Sequence, residues 1–447
     1  MTFLKKSPFK INRIENNPEA YGLRTKEIHD ALRALNDNIS ILISGKRGIG
    51  KSSFGKQLQN VLEGNYILTK RCGIETIFPR YLCIYVAFDR TMTLAHMVQD
   101  IFFNIEQIFN VNRLRIKDTK ASIEVNLGIV KGRIDSAIDR PENTPPASIA
   151  SIFVSGIKLI LDNISQTDYE GISIMIDEID QMNSDINFGH FFKIIQERLN
   201  HYNLENISFI FAGQKGVYSR LIREDYSFER IVRHVPLTTL SVEASNFILV
   251  YAAGNSEPPF NIDEPANELI ISLCSGYPYS IHLIGDSAYN DMESVIMNKQ
   301  NVLRGIMKIL QSDKREKYLS QLKNLTPNEK KLILAIAKNN SYKIPSETYL
   351  PDIKKKLDIY FADKQERISA IEELEKKGLI KYKRNIDSCI FEDELLRLFL
   401  WMLSYEQNQN KQSRLEITTK ENYGIYEELD ESTYATTWEN YDFDDFL

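Results

Sequence analysis

A run of strand type, Ile39-Ser-Ile-Leu-Ile-Ser44, leads straight into Gly45-Lys-Arg-Gly-Ile-Gly50-Lys51-Ser52, and a helical pattern opens at Lys51. This order of strand, glycine loop and helix fits GxxxxGK[ST] without a mismatch. Glycines at such positions let the main chain curl until several N–H groups point at one centre, which suits a phosphate. The helix that begins near Lys51 adds its positive end. Lys51 then meets the β and γ phosphates of a nucleotide, and the Ser52 hydroxyl ligands Mg²⁺. Gly45, Lys46, Arg47, Gly48, Ile49, Gly50, Lys51, Ser52 and Ser53 are the candidate nucleotide contacts, with ATP and Mg²⁺ the expected ligands.

The surrounding sequence reads as the sheet such a loop needs. Tyr81–Phe88, Ile172–Ile176 and Ile207–Ala212 are further near-continuous apolar runs of strand type, and residues 26–35, 93–110 and 147–165 carry helical spacing. Buried strands alternating with helices predict a parallel sheet covered on both faces, an α/β core over 1–240. Its first 38 residues form a lead-in segment. An insertion over about 112–146 has Ile123, Val125, Leu127 and Ile129 alternating with polar residues, which predicts a strand or hairpin. The insertion also carries Arg113, Arg115, Lys117, Lys120, Lys131 and Arg133, either a phosphate-contacting patch or a solvated face.

The third strand ends in Asp177-Glu178. Asp177 is expected to hold Mg²⁺, and Glu178, on the opposite side, to orient and activate an attacking water. Asp180 reads as a helix N-terminal acid favoured by the dipole. Gln214, at the tip of the fourth strand, is either a γ-phosphate sensor or plain loop polarity. Arg230 and Arg233 stand where an arginine can complete a neighbouring subunit's site, or are ordinary surface arginines; Arg220 and Arg223 are the next candidates.

From 241 to 322 the pattern is helical. Residues 323–405 form a different module: Thr326-Pro327 opens a capped helix, a second helix spans about 364–377 with Ile368, Ile371 and Leu374 as its stripe, and Gly378–Lys383 with Ser388–Phe391 reads as a hairpin. Helices followed by a hairpin predict a winged helix. Lys381, Lys383 and Arg384 on the hairpin favour nucleic acid, whereas Glu366, Glu372, Glu373 and Glu375 on the helix repel it and favour a partner protein. Residues 406–447 form a tail, with ten acidic residues between Glu416 and Asp445 against Lys411, Arg414 and Lys420.

The net charge of −6 argues against a chain basic all over. Cys72, Cys83, Cys274 and Cys389 are far apart with no CxxC pair, as for reduced, buried thiols of the cytoplasm. No apolar run reaches the roughly 18 residues of a membrane span, and no signal-peptide core follows Met1.

Together the motifs resemble one lineage of AAA+/STAND P-loop ATPases, the archaeal-type ATPases related to origin-recognition initiators. Tyr21-Gly-Leu-Arg24-Thr-Lys-Glu27 is similar to that lineage's opening motif, with spacing that departs by one residue. There the motif closes over the adenine, which implies Arg24 as a nucleotide contact. Val235–Ala244 resembles the start of the helical lid, and Ser275-Gly276-Tyr277-Pro278 its GxP motif, which implies Pro278 near the base and ribose. Tyr279 stands where initiators often carry a sensor arginine, and this leans the likeness toward switch-type relatives. Phe391–Trp401 resembles the closing helix of the same ATPases. The resemblance spans roughly 18–405 and implies a parallel-sheet P-loop NTPase core, a helical lid and a C-terminal winged helix. It implies ATP hydrolysis coupled to a partner protein or nucleic acid, and nucleotide-dependent homo-oligomers. ATPases of this build serve microbial defence, mobile-element and stress modules. A DNA-bound initiator or transposition helper is the alternative reading.

Overall fold

Ser40–Ser44 (β1), Tyr81–Ala87 (β2), Gly171–Asp177 (β3), Ile207–Gly213 (β4) and Val232–Pro236 (β5) pair in parallel in the order β2-β3-β4-β1-β5. β4, the fourth strand in sequence, is thereby inserted between β1 and β3. The register sets Ser44 beside Gly213, Ile176 beside Phe211 and Ala87 beside Asp177. β1, β3 and β4 are buried along their whole length, as expected for strands covered on both faces. This computed structural model describes residues 6–404, apart from 76, 112–127, 129, 139–144, 165–166, 311–313, 339–346, 362 and 394. Residues 123, 125, 127 and 129 of the expected hairpin, four of the insertion's six cations (Arg113, Arg115, Lys117, Lys120) and the acidic tail lie outside the described residues. Residues 130–138, within the insertion, are helical.

The chain divides into two units, one of residues 12–238 and one of residues 1–11 with 239–447. In the first, the helices flanking the sheet are Thr25–Asn36, Lys51–Leu62, Leu94–Val111, Pro146–Ile164 and Phe188–His201. Aromatic rings fill the core beneath β4. Phe192 meets Phe211 edge-on at 4.8 Å and Phe209 at 5.1 Å, a favourable geometry for ring quadrupoles.

One expectation needs correction. The helix Pro146–Ile164 is long and apolar enough to cross a membrane, with mean hydropathy 1.5. Its small serines and Gly156 interrupt the large apolar side chains, so it does not read as one unbroken run. Ile149, Phe153, Val154, Ile157 and Ile160 are buried, and the helix packs on Phe188–His201 and Leu94–Val111, so it is placed as a core helix.

In the second unit, Val242–Gly254, Glu264–Cys274, Pro278–Tyr289, Lys299–Leu310 and Lys314–Lys323 are helices. Three are capped by side chains: Ser241 Oγ accepts from the Ala244 N–H at 3.1 Å, an Asp263 carboxylate oxygen from the Ala266 N–H at 2.8 Å, and Asn298 Oδ1 from the Asn301 N–H at 3.0 Å. Asn261–Ile262 (β6) and Ile296–Met297 (β7) are a short parallel pair. The helix Pro327–Lys338 opens on a reciprocal cap, with Glu329 accepting from the Thr326 N–H at 2.7 Å and Thr326 Oγ1 from the Glu329 N–H at 3.3 Å. Glu347–Tyr349 (β8), the helices Lys354–Tyr360 and Lys364–Lys376, and the strands Ile380–Lys383 (β9) and Ser388–Phe391 (β10) follow, with an antiparallel sheet in the order β8-β10-β9. In Lys364–Lys376 the buried residues are Ala370, Ile371 and Leu374, with Ile368 only partly covered.

The described residues 6–11 also group with this second unit. Phe9 is buried, and its ring occupies the space above Gly285 where a Cβ would stand 2.5 Å away.

Candidate nucleotide site

The loop after β1 adopts the curl that its glycines permit. Gly48 has φ 80° and Gly50 φ 94°, backbone that L side chains adopt at a cost. Gly50 is the left-handed residue immediately before the helix Lys51–Leu62, so Lys51 and Ser52 occupy the helix's first turn, where N–H groups lack partners in the helix. Gly45 is required by close approach, because a Cβ there would lie 2.8 Å from the Ile49 side chain. Lys51 Nζ donates to the carbonyls of Gly45 at 3.1 Å and Lys46 at 3.2 Å. Burial pushes the Lys51 ammonium below its ordinary pKa, against the pull of the Asp180, Asp177 and Glu178 carboxylates.

At the end of β3, Asp177 is 2% exposed. Its Oδ2 accepts from the Tyr85 hydroxyl at 3.1 Å and its Oδ1 from the Glu178 N–H at 2.8 Å. Burial and the Asp177 charge keep Tyr85 protonated well above the ordinary phenol range. Glu178 is exposed and holds φ 57°, a conformation that costs a non-glycine residue energy. The chain turns there, and the two neighbouring carboxylates part. Because β4 lies between β1 and β3, its tip at Gly213-Gln214 falls between the glycine loop and this acid pair. The fold is that of a P-loop ATPase.

Several candidate residues have partners of their own within the protein. Arg24 is buried, and its guanidinium donates to the main-chain carbonyls of Ile49, at 2.8 Å, and Thr238. These contacts brace the P-loop from behind. Ser53 Oγ accepts from the Glu15 N–H at 3.0 Å, which ties the lead-in segment to the P-loop helix. Asp180 sits in a 3-10 turn, Ile179–Gln181, rather than at an α-helix start, and it binds Gln214. Arg220 donates to carbonyls of its own unit. Arg230 and Arg233 are exposed, Arg230 making one long contact, 3.4 Å, to Ser227 Oγ.

Pro278 belongs to the second unit, as the first residue of Pro278–Tyr289. The turn before it is tight. Ser275 has φ 46° and Gly276 φ 75°, and a Cβ on Gly276 would stand 2.3 Å from the Leu240 carbonyl. Arg397, which sequence reasoning did not single out, is buried and donates to the Leu273 carbonyl at 2.7 Å and to Ser275 Oγ at 2.8 Å. On the hairpin, Lys383 pairs with Glu347 at 3.0 Å and Arg384 with Glu372 at 3.7 Å.

No family model matches the sequence, and no curated protein does. Among solved structures, the chain is similar to the Walker-type ATPase paby2304 of Pyrococcus abyssi (14% identity, 87% of this chain and 98% of that chain covered, TM-score 0.48). It is similar to the Aeropyrum pernix ORC2 protein in ADPNP–ADP complexes (13%, 90% and 98%, TM-score 0.45). A third is Cdc6p from Pyrobaculum aerophilum (12%, 89% and 98%, TM-score 0.41). These are the archaeal origin-recognition-type and Walker-type ATPases that the motifs also resemble. Identities and TM-scores this low transfer no ligand, activity or partner to this chain; the fold rests on its own strand order and loop.

Proposed function

We propose that this chain is a Mg²⁺-dependent ATPase that works as a nucleotide-driven switch on a partner protein or nucleic acid. The observation that supports it is the insertion of β4 between β1 and β3. That order brings the segments carrying Lys51, Ser52, Asp177, Glu178 and Gln214 to the C-terminal ends of the neighbouring strands β1, β3 and β4.

The residues fit the ligands. The P-loop glycines at positive φ leave room for phosphate oxygens against the main chain. The Ser52 hydroxyl and the Asp177 carboxylate are the hard oxygen donors that Mg²⁺ takes. Held by these two groups, the ion would supply positive charge to the phosphates. Lys51 adds the positive charge that meets the same oxygens. Glu178 is the exposed carboxylate of the pair and orients the attacking water.

The second unit supplies the readout in this reading. Residues 323–404 follow the order helix, strand, two helices, two strands and a closing helix, Leu395–Ser404, which we take as a winged helix on a helical lid. Lys383 and Arg384 are engaged with acids of their own module, which favours a protein partner. The exposed run Lys354-Lys355-Lys356 favours the second reading, an initiator-like ATPase on duplex DNA. The setting we infer, from the resemblance, is the cytoplasm of a microbe with a defence or mobile-element system, its effector a separate protein.

Calorimetric titration of Mg-ATP into wild type and Lys51→Ala tests the site. Loss of at least about tenfold in affinity is expected from removing a charge-assisted contact. Undiminished affinity would contradict the P-loop reading. Hydrolysis stimulated by duplex DNA and lost with salt would select the second reading.

A further inference from the structure

The loops after β3 and β4 clasp each other from both sides. Asp180 Oδ1 accepts from the Gln214 main-chain N–H at 2.8 Å, and Oδ2 accepts from Gln214 Nε2 at 2.9 Å. Oδ2 also takes a long contact from Gln181 Nε2 at 3.4 Å. In return, Arg220 donates to the carbonyls of Ile179 at 2.8 Å and Met182 at 3.1 Å, fixing the turn that carries Asp180. Gly213 makes the approach fit: a Cβ there would lie 3.1 Å from the Ile179 side chain and 3.3 Å from Asp180 Oδ1.

The chemistry of the clasp fixes the Gln214 amide. An ionised carboxylate only accepts, so the NH₂ end must face Asp180. Gln214 is exposed, and the groups not given to Asp180 are its Oε1 and one N–H. One contact holds its main chain and another its side-chain tip, so few rotamers remain open to it.

We propose that Asp180 is a positioning residue of the hydrolysis site, holding the Gln214 amide so that a fixed oxygen and N–H meet the γ-phosphate and its attacking water. Asp180 thereby sets turnover and leaves nucleotide affinity largely alone. This rests on the ATPase reading above. It also takes Arg220 out of the pool of arginines available to a neighbouring subunit.

The test is steady-state hydrolysis with calorimetric ATP affinity on wild type, Asp180→Asn, Gln214→Ala and the double variant. Asp180→Asn keeps the shape but loses the charge and can keep only one acceptor oxygen. A fall in kcat of roughly tenfold is expected for each single variant, the scale of a hydrogen bond to a charged group, with KM and ATP affinity within about twofold. The double variant should be no slower than Gln214→Ala, because the pair acts as one unit. Unchanged kcat in Asp180→Asn beside a slowed Gln214→Ala would overturn the proposal, as would losses that multiply in the double variant. Loss of ATP binding in Asp180→Asn would make the residue structural and would also overturn it. Wild type no faster than Glu178→Gln would instead strike the ATPase reading, and this inference would fall with it.

Discussion

Arg24 Nη2 donates to the Ile49 carbonyl at 2.8 Å, so the residue that precedes the first helix holds the P-loop from its rear. The same guanidinium binds the Thr238 carbonyl just beyond β5. A buried arginine with two main-chain acceptors is a brace, and its removal leaves both carbonyls without a donor.

Arg24→Ala should therefore lower unfolding stability by about 2 kcal/mol or more, the cost of stranding buried acceptors. ATP and GTP affinities should fall together, because the loop loosens for any triphosphate. Thermal unfolding with parallel titrations of both nucleotides checks this. A selective loss of ATP would put Arg24 on the adenine instead.

Tyr21 gives a pH signature. Burial lifts its phenol to about 12, even against the pull of Arg24. Its unfolded value is about 10, so the folded chain keeps a proton that the unfolded chain gives up. The stabilising share is full below about pH 10 and is lost as pH rises toward about 12. Tyr21→Phe should change the urea midpoint little at neutral pH and make the alkaline loss shallower. Tyr382, also lifted to about 12, first by its hydrogen bond to Asp387 and then by burial, leaves part of the slope in place. An alkaline limb as steep as that of wild type would contradict the assignment.

Local runs made much of the core legible. Each of the strands β1 to β4 is a short apolar segment, and the glycine loop and the Asp177-Glu178 pair abut two of them, so one window of sequence contains both the element and its chemistry. The Asp180–Gln214 clasp joins residues 34 apart, and no spacing rule links an acid in one loop to an amide in another. The likeness of Tyr21–Glu27 to an opening motif implied Arg24 as a nucleotide contact, whereas its partners here are main-chain carbonyls, which leave no mark in a sequence. Lys354–Tyr360 was missed for a similar reason: only Leu357 is buried, and the lysines before it hide the period. Phe9 is one aromatic without a repeat, so nothing local assigned it to Gly285.

Assembly is tested through Arg230 and Arg233. Both are exposed just before and within β5, an edge strand of the sheet. If a neighbouring subunit's site uses them, turnover per protomer should rise with protein concentration. Changing both to Ala should abolish the rise and slow hydrolysis by roughly 10²-fold or more, with ATP still bound. Light scattering alongside a dilution series reads both. Constant specific activity in a monomer, indifferent to both substitutions, would leave a self-contained switch.

The most direct test of the account is phosphate release from Mg-ATP by wild type beside Glu178→Gln. The substitution keeps the size and the hydrogen-bonding shape of Glu178 but removes the carboxylate that orients and activates water. The account predicts measurable turnover in wild type and a loss of about 10²-fold in the variant, with ATP affinity retained. Equal rates in the two proteins would contradict it.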